Sequence, residues 1–356
     1  MTSPIDDTVD DLIARAALRL RGGALREQPL SRRLFLAGAA AGAATLGLTA
    51  CGGGGNSTAQ APSGSAGFPI TVAGKEGTAT IPAPPQRVIA LGLQRDAETV
   101  LALGVPPIAM PENPNAPTGI MPWTEAALTD PRPDLLNITD GLPFEKIVAL
   151  QPDLILATDN YELAEVYARL AQIAPTVSYL EGVNSDTWQQ RAELIGKVLG
   201  RGEQATKVIA DTENKVTQAT ADNPAFAGKT FSLSNAFGGE IYTVLADDAS
   251  AVFLEQLGLR LSPKVKALPE STPGRARLSL ESLGALDADV MIVTSQTDED
   301  RNIVESSPLF AQLNAVKNGT YIPMDFLVSV AMAFPSPLSI PYALDGMVPA
   351  VSRVLT

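Results

Sequence analysis

The side chains that carry most enzymatic chemistry are nearly missing from this sequence. Its 356 residues include no histidine and one cysteine, Cys51. That composition excludes a Ser-His-Asp or Cys-His nucleophile, a His-ligated zinc or haem, a CxxC redox pair and an intrachain disulfide. What remains is oxygen-ligand metal binding, carboxylate or lysine catalysis, or binding without catalysis. The clustered His and carboxylates of a bare zinc or manganese site are absent, and Asp298-Glu299-Asp300 lacks the spaced ligands of a calcium loop, so it reads as a solvated turn. Ala227-Gly228-Lys229-Thr230 resembles the end of a phosphate-binding loop, but Asn223 stands where that motif needs Gly and the strand follows it. A lipid-anchored hydrolase using paired carboxylates is the enzymatic alternative, although nothing in the sequence selects the pair. Binding without catalysis leads, because an enzyme of this size usually recruits at least one His.

The elements that must position a binding site can be read next. The length and the 45% hydrophobic content suit about two domains with ample core. Twenty-six Lys and Arg against 39 Asp and Glu leave a net charge of -13, without the basic footprint of a nucleic-acid binder. Ser31-Arg32-Arg33-Leu34-Phe35-Leu36 opens an Ala/Gly-rich apolar stretch and resembles a twin-arginine export signal. The stretch is too short and too diluted for a spanning helix of about 20 residues. Leu48-Thr49-Ala50-Cys51-Gly52 looks like a lipobox, so residues 1–50 are expected to be removed and Cys51 lipidated. Residues 51–67, rich in Gly, Ser, Ala and Pro, read as a flexible tether.

Ordered structure begins at Phe68. Residues 68–81 alternate around Gly74 and Gly77 as a small hairpin does, Arg87-Val88-Ile89-Ala90-Leu91-Gly92 is a buried-strand pattern, residues 96–103 have helical spacing and residues 107–110 read as a second strand. Such alternation implies parallel βαβ units. At an offset of 136 residues, Glu145-Lys146-Ile147-Val148-Ala149-Leu150-Gln151-Pro152-Asp153-Leu154-Ile155 matches Glu281-Ser282-Leu283-Gly284-Ala285-Leu286-Asp287-Ala288-Asp289-Val290-Met291. In each copy a Glu opens a short helix and an Asp turns the chain into an apolar strand. The expected architecture is therefore an N-terminal α/β lobe over 68–184, connecting helices over 185–224 and a C-terminal α/β lobe over 225–356, both lobes with parallel sheets. A helix over 203–221, about 30 Å long, suits a spine from lobe to lobe.

Several pieces of the chain resemble the substrate-binding lipoproteins of iron-siderophore ABC importers, related to cobalamin- and haem-binding proteins. They are Arg87 to Gly92, the run from Asp96 to Val105, Pro122-Trp123, the run from Phe144 to Leu156, Leu170-Ala171-Gln172-Ile173-Ala174-Pro175-Thr176 and Leu280-Glu281-Ser282-Leu283. The resemblance implies two lobes on one long helix, a ligand cleft between them and little hinge closure. It implies a monomer at the outer face of the cell membrane that carries no intrinsic cofactor, takes a ferric siderophore as transported ligand and delivers it to an ABC permease dimer. It also implies that Glu145 and Glu281, one per lobe, dock onto basic permease residues. Haem or cobalamin is the alternative ligand in the same fold.

In parallel α/β lobes ligands sit beyond the carboxyl ends of the strands. That rule selects Gln94 and Arg95, Trp123, and Asn160 with Tyr161 in the first lobe. In the second it selects Asn235 and Phe237, Arg275 and Arg277, Ser295, and Phe326 with Phe334. A ferric siderophore is already a saturated chelate and needs no protein metal ligand; it needs Arg for its oxygens and aromatic faces for its apolar surface. Tyr161 has a spacing from Glu145 similar to that of a ligand-contacting Tyr in hydroxamate binders. The Arg that such binders carry before the Glu is here Thr139, which leaves Arg95, Arg275 or Arg277 to compensate.

Overall fold

The computed structural model describes residues 67–355. Arg32, Arg33, Cys51 and nearly all of the tether lie outside the described residues.

Strands β1 (Ile70–Ala73) and β2 (Thr78–Ile81) form the expected antiparallel hairpin, closed by the amide of Gly74 donating to the Gly77 carbonyl at 2.8 Å. Its inward residues Val72, Ala79 and Ile81 pack with Val88, Leu154 and Val198, so the hairpin caps one face of the first lobe. That lobe is built on β3 (Val88–Ala90), β4 (Ala109–Pro111), β5 (Asp134–Leu136), β6 (Leu154–Ala157) and β7 (Thr176–Ser178). All pairings are parallel, in the order β5-β4-β3-β6-β7. Both faces are covered, which is why β6 reads as an unbroken apolar run rather than an alternating one. The chain winds outward from β3 in one direction and from β6 in the other. The switch point, and with it the crevice, lies at the carboxyl ends of these two central strands.

The second lobe departs from the expectation of a purely parallel sheet. Strands β8 (Thr230–Phe237), β9 (Glu240–Val244), β10 (Arg260–Leu261), β11 (Arg275–Leu278), β12 (Val290–Ser295) and β13 (Tyr321–Met324) form a mixed sheet. β8, β12 and β13 are parallel and β10 adds to β8 in parallel, but β9 is antiparallel to both β8 and β11. The cause is local. Gly238 and Gly239 both adopt positive φ, 55° and 80°, making a two-residue turn that folds the chain straight back on β8 with no crossover helix.

The internal repeat has a structural counterpart. In the first copy the Asp153 carboxylate accepts the backbone amides of Gln86 (2.7 Å) and Arg87 (2.8 Å), which lead into β3. In the second copy Asp289 accepts the amide (2.7 Å) and hydroxyl (2.8 Å) of Thr230, the first residue of β8. Each Asp thus fastens the start of β6 or β12 to the start of the neighbouring central strand. The helix that precedes it differs: Phe144–Ala149 is α-helical, whereas Leu280–Leu286 is a 3-10 turn.

A 21-residue helix, Gly202–Asp222, connects the lobes. At its start Ala205 nests against Gly196 of the Trp188–Val198 helix, where an added Cβ would stand 2.4 Å from the Ala205 Cβ. Asn223, at its end, accepts from the Ser352 hydroxyl (2.7 Å) of the C-terminal Ser339–Leu355 helix. Among the described residues no helix is long and apolar enough to cross a membrane.

Asp153→Ala and Asp289→Ala each strip a carboxylate from two donors, and each is expected to lower stability by about 1–2 kcal/mol. Urea unfolding checks this; an unchanged midpoint in both variants would remove the strand-fastening role.

Candidate functional site

At the switch point the ends of β3 and β6 are tied by carboxylates. Asp96, in the first turn of the Arg95–Ala102 helix, accepts the amides of Gly92 and Thr158 at 3.0 Å each and also the Thr158 hydroxyl. Gly92 is required here, since a Cβ would come within 2.5 Å of the Asp96 carboxylate and the Asp159 side chain. Asp159 caps the same helix from outside, accepting the amides of Gln94 (3.1 Å) and Arg95 (2.9 Å).

Its second oxygen takes the Arg95 Nε at 2.7 Å, and the guanidinium goes on to donate to the Val183 carbonyl (3.1 Å) and Asn184 Oδ1 (3.2 Å). Arg191 donates from Nε to the Thr158 hydroxyl and from Nη2 to the Val183 carbonyl, both at 3.0 Å. Two arginines and two aspartates are thereby buried together. Burial and the charge of Asp159 push Asp96 up to about 6. Burial also opposes the Asp159 charge, but Arg95 and Arg191 outweigh it and hold the carboxyl below its usual range. For Arg95 burial is again outweighed, by Asp159, and its pKa rises; for Arg191 burial and the Arg95 charge prevail and lower it.

One turn further along the helix, Glu98 faces the other lobe. Its Oε1 accepts from the Trp123 indole and the Thr124 hydroxyl, while Oε2 is buried without a partner. Burial, with a smaller contribution from Asp159, pushes Glu98 up to about 7 against the opposing pull of Ser336, Trp123 and Thr124. The Trp123 ring packs on Tyr342 of the second lobe, centroids 4.8 Å apart. The Arg95 guanidinium lies 5.5 Å from the centroid of the Phe334 ring. Gln296, past the end of β12, donates across the seam to Asn115 at 3.3 Å, and Asn113 in turn donates to Gln94 at 3.0 Å. The apolar core of the second lobe continues into Met121, Trp123 and Trp188. The carboxyl ends of the strands in both lobes therefore face one another across a seam of aromatic and amide side chains.

The residues selected from the sequence distribute unevenly around this seam. Arg95 and Trp123 stand in the wall itself, each fully engaged. Tyr161 is half-buried, its hydroxyl donating to Asn184 at 2.9 Å, and Asn160 reaches back to the Leu91 carbonyl at 3.2 Å. Asn235 on β8 accepts from Ser329 at 3.2 Å, Phe237 and Ser295 end their strands, and Phe326 opens the Phe326–Ala333 helix capped by Asp325. Arg277 lies exposed on β11 in a bidentate pair with Glu240. Arg275, the first residue of β11, sits in register with Val244, the last of β9, at the opposite end of the sheet from the carboxyl end of β8, with its Nε 3.4 Å from Asp248. Glu145 and Glu281 are exposed in the first turns of their short helices.

Sequence reasoning missed Asp96, Glu98, Asp159 and Arg191. The available signal was an acid immediately beyond an apolar strand, as in Ala157-Thr158-Asp159. Among the described residues no group of three or more His, Cys, Asp or Glu is placed to hold a metal ion.

Two α/β lobes hung on one helix, with strand ends meeting at such a seam, define a bilobed solute-binding protein. The chain belongs to the periplasmic binding protein family, whose model matches residues 94–326. It is 29% identical over 317 residues to the iron(3+)-hydroxamate-binding protein FhuD of Bacillus subtilis, covering 87% of this chain and 93% of that protein. It is 27% identical over 262 residues to the Fe(3+) dicitrate-binding periplasmic protein FecB of Escherichia coli, covering 70% and 80% respectively. Among solved structures it is similar to a periplasmic solute binding protein from Mycobacterium smegmatis, at 34% identity and TM-score 0.70, covering 81% of this chain and 99% of that one.

Because the folded Glu98 carboxyl sits at about 7, above its ordinary 4.5, the folded state holds a proton there that the unfolded state releases. This contribution to stability is complete below about pH 4.5 and is lost as the pH rises to about 7, by up to about 3 kcal/mol. Glu98→Gln removes the titration, so its melting temperature should gain on the wild type between pH 5 and 8. A difference constant with pH would show that Glu98 does not titrate in this window.

Proposed function

We propose that the protein captures a ferric siderophore outside the cell membrane and delivers it to an ABC importer. The observation that carries this reading is the seam at the strand ends, where aromatic and amide groups converge from both lobes. A saturated iron chelate leaves the protein only the ligand periphery to recognise, and that periphery offers apolar surface and oxygen acceptors. Family membership and the iron-chelate binding named for two relatives support the same ligand class.

In this reading Tyr161, Asn235, Phe237 and Phe326 contact the chelate, with Arg95 and Trp123 as the wall behind them and Arg277 at the rim. Arg275, engaged by Asp248 below the strand ends, acts indirectly. Glu145 and Glu281, exposed at equivalent positions of the two repeat copies, dock onto a basic permease dimer. The arginine pair directs export and a lipid on Cys51 holds the monomer at the membrane. The protein uses no intrinsic cofactor and performs no catalysis.

Trp123 and Trp188 are the two tryptophans of the chain and both are buried beside the seam, so intrinsic fluorescence reports its occupancy. Purified protein titrated with ferric hydroxamates, catecholates and citrates should show saturable quenching by one ferric chelate and not by its iron-free form. Quenching by haem or cobalamin alone would replace the siderophore by that ligand. In cells, Glu145→Ala combined with Glu281→Ala should leave affinity unchanged and reduce uptake at least about tenfold, the loss of roughly 1.4 kcal/mol of docking energy. Undiminished uptake would refute the docking roles.

A further inference from the structure

Resting on the siderophore reading, we infer that the site selects an electroneutral ferric chelate of the trihydroxamate type and discriminates against polyanionic chelates. Three hydroxamates balance the charge of ferric iron, whereas three catecholates leave the complex trianionic and citrate complexes are anionic too. Binding the latter in a partly desolvated seam requires cations free to face them.

At the strand ends of the described residues the cations are already matched. Arg95 is paired with Asp159, and Arg191 is buried beside the same pair and Asp96. Across the seam Arg277 is held by Glu240, and Arg301 by Asp298 with Glu305 at 3.9 Å. Arg95 cannot be turned toward an anion without leaving Asp159 buried and uncompensated, and Asp159 also caps the helix that presents Arg95.

The surplus is acidic. Glu112 and Asp325, exposed just beyond β4 and β13, have no ion pair among the described residues, and Glu98 adds a buried carboxyl that is largely charged only above about pH 7. What the seam offers to ligand oxygens is neutral donors. The Gln94 side-chain nitrogen, buried at the β3 end without a partner, is the clearest of them. The two named relatives differ in this respect, one named for hydroxamate and the other for dicitrate, and the charge balance of this seam sides with the former.

The test is a fluorescence titration of the purified full-length protein with ferrichrome, ferric enterobactin and ferric dicitrate at low and high salt. Ferrichrome should bind at least about 100-fold more tightly than either anionic chelate at low salt, and the gap should narrow as salt screens the acidic seam. Glu240→Gln releases Arg277, exposed on β11, from its carboxylate partner. It should strengthen ferric enterobactin binding about tenfold and change ferrichrome affinity less than about threefold. Circular dichroism establishes that the variant is folded; if it is not, the wild-type titration decides alone. Ferric enterobactin or ferric dicitrate binding as tightly as ferrichrome would overturn this inference and leave the siderophore function standing. Binding of none of the three, nor of any other ferric chelate, would overturn that function and this inference with it.

Discussion

The structure turns on a buried four-charge cluster at the point where the first sheet reverses its winding. Asp96 and Asp159 sit at the ends of β3 and β6, and Arg95 and Arg191 neutralise them from one helix each. Such clusters contribute little net stability, because desolvation cancels most of the attraction. Their effect is on uniqueness. Removing one member strands its partner in the interior, a penalty of about 3–5 kcal/mol, so helix, strand ends and the segment around Val183 can adopt only one mutual arrangement. That arrangement aims the Gln94 to Glu98 turn at the other lobe.

From this fixed turn the seam follows. Glu98 holds the Trp123 indole, Trp123 meets Tyr342, and the apolar core of the second lobe extends beneath both. Two lobes that share core residues and are bridged by one continuous helix have no slack segment at which a large hinge could work. Under the proposed function, adjustment to a ligand falls to side chains and to the loop between β4 and the Pro122–Glu125 helix, which carries Asn113 and Asn115 and leads into Trp123. The unpartnered oxygen of Glu98 and the unpartnered nitrogen of Gln94 lie on the helix face turned to that loop, one turn apart.

The sequence announced its lobes, its hairpin and its spine because these depend on periodicity and on a repeat that burial enforces locally. Asp153 and Asp289 were visible as repeated letters, and their shared task of fastening neighbouring strands became visible only in three dimensions. The antiparallel β9 was legible in principle, since Gly238-Gly239 between two strand patterns marks a tight hairpin; reading both lobes as copies of one parallel unit concealed it. The site was harder for a physical reason. Arg95 and Arg277 look alike in sequence, as cations beside strand ends, but one lies against a carboxylate that local sequence cannot foresee: Asp159 stands 64 positions away, and so the neutralisation of Arg95 is a tertiary property.

Neutralisation also explains how an acidic body can present arginines without attracting anions. Net charge of -13 sets the far field and repels anionic solutes at long range, while ion pairs engage the arginines near which a ligand would seat. An uncharged chelate is indifferent to the first and needs only the shape and amide donors left by the second. The same far field would suit the basic docking surface proposed for Glu145 and Glu281, which stand exposed on the two lobes joined by the Gly202–Asp222 helix. Under the proposed function, ligand choice and partner choice rest on different charges: inside, the arginines of the seam are engaged by carboxylates, and outside, exposed carboxylates make the surface acidic.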